Sequence, residues 1–417
     1  MSAAVLALLA LLLAIALSMT TRINVGLVAI ALAWLIGVYA AHMKVEAVVT
    51  GFPASLFLTL TGVTFLFAVA KSNGTLDALA HRAARMVRGN AALLPPLFFV
   101  LAGLLATIGP GAVASVALVA PIAMPIGASA GVPNLLSAIM IGTGANAGNL
   151  SPISAVGAMV NSLLAKQGLG GHEWRVWSAN FLAHVIVAAA ACFLLGGWRL
   201  IRTGRSVQTA DVDAPRLSRS QWLTIGVTLA WMLAVVLLRV HVGLAAFGAG
   251  TLLLLARAAD ERDTIAKIPL DIIIMVCGVT MLIGVLEATG GMALFTGLIA
   301  RIANAHTINA VIAFVTGAIS TYSSTSGVVL PAFLPTVNGL VRQVGGGNPL
   351  AVALSINVGS ALVDVSPLST IGALCVAAVA DRAAGKDLFN KLLIFGLSMI
   401  VVGALLAGLF ASGFARL

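Results

Sequence analysis

Two short stretches of this chain concentrate the groups that can hold a charged solute. They are Gly142-Thr-Gly-Ala-Asn-Ala-Gly-Asn-Leu-Ser-Pro-Ile-Ser154 and Asn357-Val-Gly-Ser-Ala-Leu-Val-Asp-Val-Ser-Pro-Leu-Ser-Thr370. Each lies at the centre of a long apolar run, 133–163 and 349–380. Proline lacks a backbone N–H and clashes with the preceding turn, so both runs are expected to break at Pro152 and Pro367. A break frees N–H groups that carry about half a positive charge and suit an anion. It also frees carbonyls that can coordinate a cation, while the hydroxyls of Ser151, Ser154, Ser366, Ser369 and Thr370 can serve either sign of ligand. One Ser-Pro alone reads as a kink with a back-bonded serine; two copies at matching places favour a site. Asp364 is the one acid at the centre of a broken run, and its counterpart is Asn149. A carboxylate at membrane depth costs roughly 2.5–3.5 kcal/mol on insertion scales, so it usually has a partner or a task. Ligation of a sodium ion and carriage of a proton both fit, beside a structural role as acceptor for backbone N–H groups of the unwound loop.

The elements that position these loops follow from the apolar pattern. Hydrophobic residues make up 60% of the 417-residue chain and charged residues 9%, which excludes a soluble protein. Apolar runs near 3–20, 23–41, 48–70, 178–198, 221–238, 242–257, 269–287 and 389–413 read as spans. The first twenty residues lack the basic start of a signal peptide and read as a span. Residues 75–90 and 291–304 are amphipathic and read as interfacial helices. After each come paired short arms, 92–108 with 115–130 and 306–319 with 327–342. Their tips are Ile108-Gly109-Pro110-Gly111 and Ser320-Thr321-Tyr322-Ser323-Ser324-Thr325-Ser326, which suit buried re-entrant hairpins.

The two halves repeat. Gly62-Val63-Thr64 returns 216 residues later as Gly278-Val279-Thr280, as do Pro53 (Pro269), Gly74 (Gly290) and Arg85 (Arg301). Asn149-Leu-Ser-Pro-Ile-Ser-Ala-Val-Gly-Ala158 returns as Asp364-Val-Ser-Pro-Leu-Ser-Thr-Ile-Gly-Ala373, at a shift of 215. The fold expected is an all-α polytopic membrane protein of two repeats, 1–198 and 221–417, joined by a cytoplasmic linker at 199–220. The first repeat divides into scaffold helices 1–70, the interfacial helix 75–90, the hairpin 92–130 and the broken helix 133–163. The second holds the interfacial helix 291–304, the hairpin 306–342 and the broken helix 349–380. Each repeat makes five crossings, an odd number, so the second is inverted. With 71–91 placed inside, sixteen Lys and Arg residues fall inside and seven outside, which sets the orientation and leaves both termini outside.

The same clusters account for the net charge of +10 without nucleic acid, since no basic stripe or aromatic interleaving accompanies them. Cys192, Cys277 and Cys375 are far apart within apolar runs and read as packing residues. His172-Glu173 lacks the second histidine of a zinc-protease helix, because position 176 is Val. No transition-metal site, organic cofactor, ATP-binding loop or nucleophile–base pair is expected, and therefore no enzyme.

Gly148-Asn-Leu-Ser-Pro-Ile-Ser-Ala-Val-Gly157 and Val363-Asp-Val-Ser-Pro-Leu-Ser-Thr-Ile-Gly-Ala-Leu-Cys375, with the repeat plan, resemble the ion transporter superfamily. Within it the sequence is similar to divalent-anion:sodium symporters, above all malonate/dicarboxylate carriers of the MatC type. The resemblance implies a homodimer in the bacterial inner membrane with scaffold and transport domains, an elevator motion and cation-coupled import of a C3 or C4 dicarboxylate. It implies substrate contacts at Ser151, Pro152, Ser154, Tyr322, Ser323, Ser324, Ser366, Pro367, Ser369 and Thr370. It implies coupling sodium ions, or protons in their place, at Gly111, Ser115, Gly148, Asn149, Thr321, Thr325 and Asp364. The better-known symporters carry Ser-Asn-Thr at each tip. Counted back from the following proline, this chain has Gly111-Ala112-Val113 and Thr321-Tyr322-Ser323 instead. Other readings of the plan are a membrane subunit dependent on a binding protein, a cation/proton antiporter and an oxyanion efflux permease.

Overall fold

The computed structural model describes residues 2–20, 23–85, 91–109, 111–197, 217–238, 240–321, 324–379 and 381–416. Every regular element among them is a helix. The linker expected at 199–220 lies outside the described residues as far as 216, and so does the end of the first interfacial helix, 86–90.

The chain opens with α1 (Ala3–Thr20) and α2 (Val25–Trp34), the latter prolonged by a π-helical turn over Leu35–Ala40. The run expected as one span over 48–70 is divided into α3 (Val45–Thr50) and α4 (Ala54–Ser72). Pro53 sits at the division; it cannot donate to the turn behind it and disfavours helical backbone at the residue before it. Gly74, in the left-handed region at φ 72°, turns the chain into the amphipathic α5 (Thr75–Arg85). The first hairpin is α6 (Leu94–Ile108) and α7 (Gly111–Ser129). The first broken helix is α8 (Asn134–Asn149) and α9 (Ala155–Lys166), and α10 (Glu173–Leu194) ends this half.

The second half runs α11 (Arg219–Leu238), α12 (Val242–Leu255), α13 (Glu261–Ala266) and α14 (Leu270–Ala288), with Pro269 dividing the last two as Pro53 divides α3 from α4. After Gly290, at φ 78°, α15 (Gly291–Ala300) turns away from α14 by 91°. The first arm of the second hairpin is α16 (Ile308–Ser320). Its other arm, expected as one segment over 327–342, is divided into a π-turn (Thr325–Val329), α17 (Leu330–Phe333), a 3-10 turn (Leu334–Thr336) and α18 (Val337–Gln343). Pro331 and Pro335 remove two backbone donors there, and the tighter and wider turns accommodate the loss. The second broken helix is α19 (Pro349–Val363) and α20 (Thr370–Ala377), followed by α21 (Arg382–Phe414).

Ala91–Ile108, Gly111–Ser129, Glu173–Leu194 and Ala383–Phe414 are each long and apolar enough to cross a membrane, and α14 with α15 would add a fifth if one span. The arms of the first hairpin, expected to be too short for spans, therefore reach spanning length at 18 and 19 residues. Several further apolar helices are shorter. Large apolar side chains such as Leu194, Leu255 and Ile394 lie on the outside, exposed at 77%, 77% and 69%, as a lipid-facing surface requires.

Packing crosses between the halves. α4 lies on α12, and α14 lies on α2. A Cβ at Gly62 would come within 2.2 Å of the Gly243 carbonyl oxygen, and one at Gly278 within 2.2 Å of the Gly26 carbonyl oxygen. These are the same crossing made twice, because Gly62 and Gly278 are repeat partners. Within each half, α6 lies on α8 and α16 on α19. There a Cβ at Gly144 would stand 2.3 Å from the Phe99 carbonyl oxygen, and one at Gly359 2.5 Å from that of Ala313. Lipid tails are as apolar as a helix surface, so close backbone approach over small residues holds such helices together. At one end of α4, Ser72 donates to the Asp263 carboxylate, which also pairs with Lys267 at 2.6 Å. The Lys267 bond holds the Asp263 carboxyl below its ordinary range.

Candidate functional site

Both broken helices unwind at the Ser-Pro motifs, over 150–154 and 364–369. In the first, Ser154 accepts from Gly157 N at 2.9 Å and donates to the Asn149 carbonyl at 2.6 Å, starting α9 while tying back the end of α8. In the second, Ser369 donates to the carbonyls of Asp364 and, at 2.9 Å, Ser366. The paired glycines Gly157 and Gly372 let the loops fold this tightly, since a Cβ would stand 1.9 Å from the Ser151 and 2.2 Å from the Ser366 carbonyl oxygen. Ser154 and Ser369 thus shape their loops with hydroxyls that backbone groups already engage. Ser151 and Ser366 are 1% and 0% exposed and accept long 3.4 Å contacts from Ile153 N and Leu368 N. Pro367 is buried, Pro152 half-buried, and Thr370 exposed at the start of α20.

Each hairpin tip docks on one of these loops. In the first half the Asn149 amide oxygen accepts from Ala112 N at 2.9 Å, and Ala155 N donates to the Gly109 carbonyl at 3.2 Å. Gly111, at φ 83°, makes the turn that presents the Ala112 N–H. In the second half the repeat partner of Asn149, Asp364, has its carboxylate in hydrogen-bonding reach of Ser369 and Thr325. Thr325 also meets Ser320 Oγ at 2.5 Å across the tip, and Ser320 reaches the Ser360 carbonyl at 2.9 Å. Where the first tip docks through the backbone N–H of Ala112, the second docks through hydroxyls, with Ser320 and Thr325 both turned to the Ser360 carbonyl.

The tips and loops border one narrow cleft. Gly111, Ala112, Val113 and Asn149 line it from the first half, and Ser326 and Asp364 from the second. Leu60 and Thr64 of α4, with Ile273 and Val276 of α14, form the facing wall, and Ala155, Val156 and Met159 of α9 its floor. Its free volume of about 50 Å³ holds several water-sized groups. Among the described residues that line it there is no Lys, Arg or His. The groups present are one carboxylate, one carboxamide, backbone N–H and hydroxyls. They can coordinate and desolvate a small ion, and none forms a nucleophile–base pair.

Of the residues expected to carry function, the cleft gathers Gly111, Asn149 and Asp364, with Thr325 adjoining through Asp364. Ser115 donates to the Gly111 carbonyl at 2.9 Å and stabilises the tip from behind. Thr321 is buried and donates to Gly317, and Ser324 accepts from Gly327 N at 3.0 Å as the cap of the π-turn. Gly148 is a packing residue, since a Cβ there would stand 2.2 Å from the Gly103 carbonyl oxygen. Tyr322 and Ser323 lie outside the described residues. Thr64, the Ala112 N–H and Ser360 emerge only with the structure. Thr64 had a signal in the repeated Gly-Val-Thr, and the other two had none.

Behind the cleft a buried polar bridge ties three helices together. Asn180 of α10 donates to the Asn146 carbonyl of α8 at 2.7 Å, and Asn146 donates to the Ala361 carbonyl of α19 at 3.2 Å. His184 Nδ1 lies 2.8 Å from the Asn180 carbonyl, and all three side chains are 0% exposed. The bridge joins the α8 end of the first loop to the α19 end of the second.

No curated protein matches this chain. Residues 1–149, which run from α1 through both hairpin arms to Asn149 at the end of α8, match the family model for the N-terminus of the dicarboxylate carrier protein MatC.

Proposed function

We propose that this protein is a secondary active transporter that imports a small C3 or C4 dicarboxylate, malonate or a close relative, by cation symport with sodium as the coupling ion. The observation that carries the reading is the convergence of two hairpin tips and two unwound Ser-Pro loops on one cleft that contains Asn149 and Asp364. The likeness of residues 1–149 to a dicarboxylate carrier supports the substrate class and a transporter over an enzyme. Unwound half-helices supply N–H groups for carboxylates, and Asp364 with the tip hydroxyls supplies oxygens for the cation. The crossings of α4 on α12 and α14 on α2 are what a two-fold exchange between inverted repeats 1–198 and 221–417 produces. In this reading α1–α4 and α11–α14 form a scaffold against which the hairpins and broken helices slide as an elevator. The assembly is a homodimer in the bacterial inner membrane with both termini outside.

The test is uptake of labelled malonate and succinate into proteoliposomes, with sodium and proton gradients imposed separately. Sodium-driven accumulation of either acid is expected. Proton-driven accumulation would retain the carrier and make Asp364 the proton carrier. Absence of uptake under either gradient would refute the dicarboxylate assignment and favour efflux or dependence on a binding protein.

A further inference from the structure

Away from the cleft, α10, α19 and α21 enclose a second cavity of about 370 Å³ lined by Ala179, Ala183, Ile186, Val358, Ala407 and Phe410, among other apolar residues. Its rim includes Leu182, Leu409 and Phe410, exposed at 46%, 72% and 60%. A void of this size whose described lining is almost wholly apolar stays dry and suits hydrocarbon. One end of it carries charge. Arg175 lies on the same face of α10 as Ala179, Leu182, Ala183 and Ile186, at the spacing i, i+4, i+7, i+8, i+11. Its Nη1 donates to the Ala415 carbonyl at 3.2 Å, which holds the guanidinium where α21 ends, beside exposed Arg416. Glu173 projects from the opposite side of the helix and accepts from Gly171 N at 2.9 Å. From Arg175 to Ile186 the groove follows eleven residues of helix, or about 16 Å, a depth suited to an acyl chain.

We infer that this groove binds one anionic bilayer phospholipid, with an acyl chain laid between α10 and α21 and the headgroup phosphate on Arg175 and Arg416. The occupant is a phospholipid because the described lining is apolar and Arg175 and Arg416 stand at one end of it. The inference needs a membrane-embedded protein but no particular substrate or coupling ion.

The test is native mass spectrometry of the full-length protein, released in mild detergent from bilayers of equal parts phosphatidylglycerol and phosphatidylcholine. Retention of one phospholipid per chain with phosphatidylglycerol preferred is expected. Arg175→Gln should reduce that preference about fivefold, the factor for one basic residue at an anionic surface. Ala179→Phe, which fills the groove from the half-buried side of α10, should abolish retention of either lipid while elution and thermal midpoint stay those of the parent. Equal retention of both lipids by the parent, or an unchanged preference in Arg175→Gln, would overturn the headgroup assignment. A groove that retains no lipid but loses a dimer on Ala179→Phe would belong to a second copy of the chain, and the inference would fail.

Discussion

Replacing Asp364 by Asn converts the second loop to the chemistry of the first, where Asn149 stands at the repeat position. The amide keeps the size of the carboxylate and can still meet Thr325 and Ser369, so the docking of the second tip is preserved. What is lost is the negative charge of the one ionisable group among the described lining residues. Hydrogen bonds to a charged group contribute about 1.5–3 kcal/mol, against about 1 kcal/mol for neutral ones. A cation held with the same difference would bind about 0.5–2 kcal/mol less tightly, and each 1.4 kcal/mol is about tenfold. The half-saturating sodium concentration for malonate uptake should therefore rise about two- to thirtyfold, measured in proteoliposomes with potassium replacing sodium. Asn149→Asp should move the same quantity the other way. An unchanged or lower half-saturating concentration in Asp364→Asn would refute the placement of the cation at this loop.

Two further outcomes test the packing. Gly26→Ala places a methyl 2.2 Å from the Ile274 carbonyl oxygen, whereas Gly226→Ala meets nothing within 4 Å. The first should destabilise the protein by about 1–3 kcal/mol as an overpacked crossing and the second should not, read as the thermal midpoint of tryptophan fluorescence; equal midpoints would discount the α2–α14 crossing. Asn180→Leu removes the donor to the Asn146 carbonyl and should cost roughly 1 kcal/mol. An unchanged midpoint would show that the bridge between α8 and α10 contributes nothing.

The parts of this molecule that were legible in the sequence are those where covalent chemistry decides the backbone. Pro152 and Pro367 cannot continue a helix, and the two breaks fall where the Ser-Pro motifs predict. The expected boundaries of α1, α12 and α14 agree with the structure to within two residues, because long apolar runs end at polar or Gly/Pro positions. The division at Pro53 does not show in the hydropathy, because apolar residues on both sides disguise the short α3, although Pro53 recurs as Pro269. The second hairpin arm was expected to be a single segment because its hydropathy is continuous, although Pro331 and Pro335 carry the signal of its division. The roles of individual hydroxyls were not legible. Ser154 and Ser369 have the composition of ligands and the contacts of loop fasteners, and only geometry separates the two. Nor can sequence show that Thr64 and Ile273, from different halves, face the same cleft.

The asymmetry between Asn149 and Asp364 gives coupling a physical basis. On the proposed function, a dianion entering the cleft meets one carboxylate and, among the described lining residues, no basic side chain. At a separation of roughly 5 Å and an effective dielectric constant of about 20, each pair of unit charges interacts by about 3 kcal/mol, so an uncompensated dianion is opposed by about 6 kcal/mol. Backbone N–H groups from the unwound helix ends offset part of this, and a bound cation offsets most of the rest. Cation and anion must then tighten each other by the same factor, because the coupling energy is shared. It follows that Asp364→Asn, which binds sodium less well, should also need it less. The ratio of malonate affinity at saturating sodium to that without sodium, measured by calorimetry, should fall by about tenfold or more in the variant, with the affinity without sodium rising. An unchanged ratio would mean that Asp364 serves the docking of the second tip alone and that coupling arises elsewhere in the transport cycle.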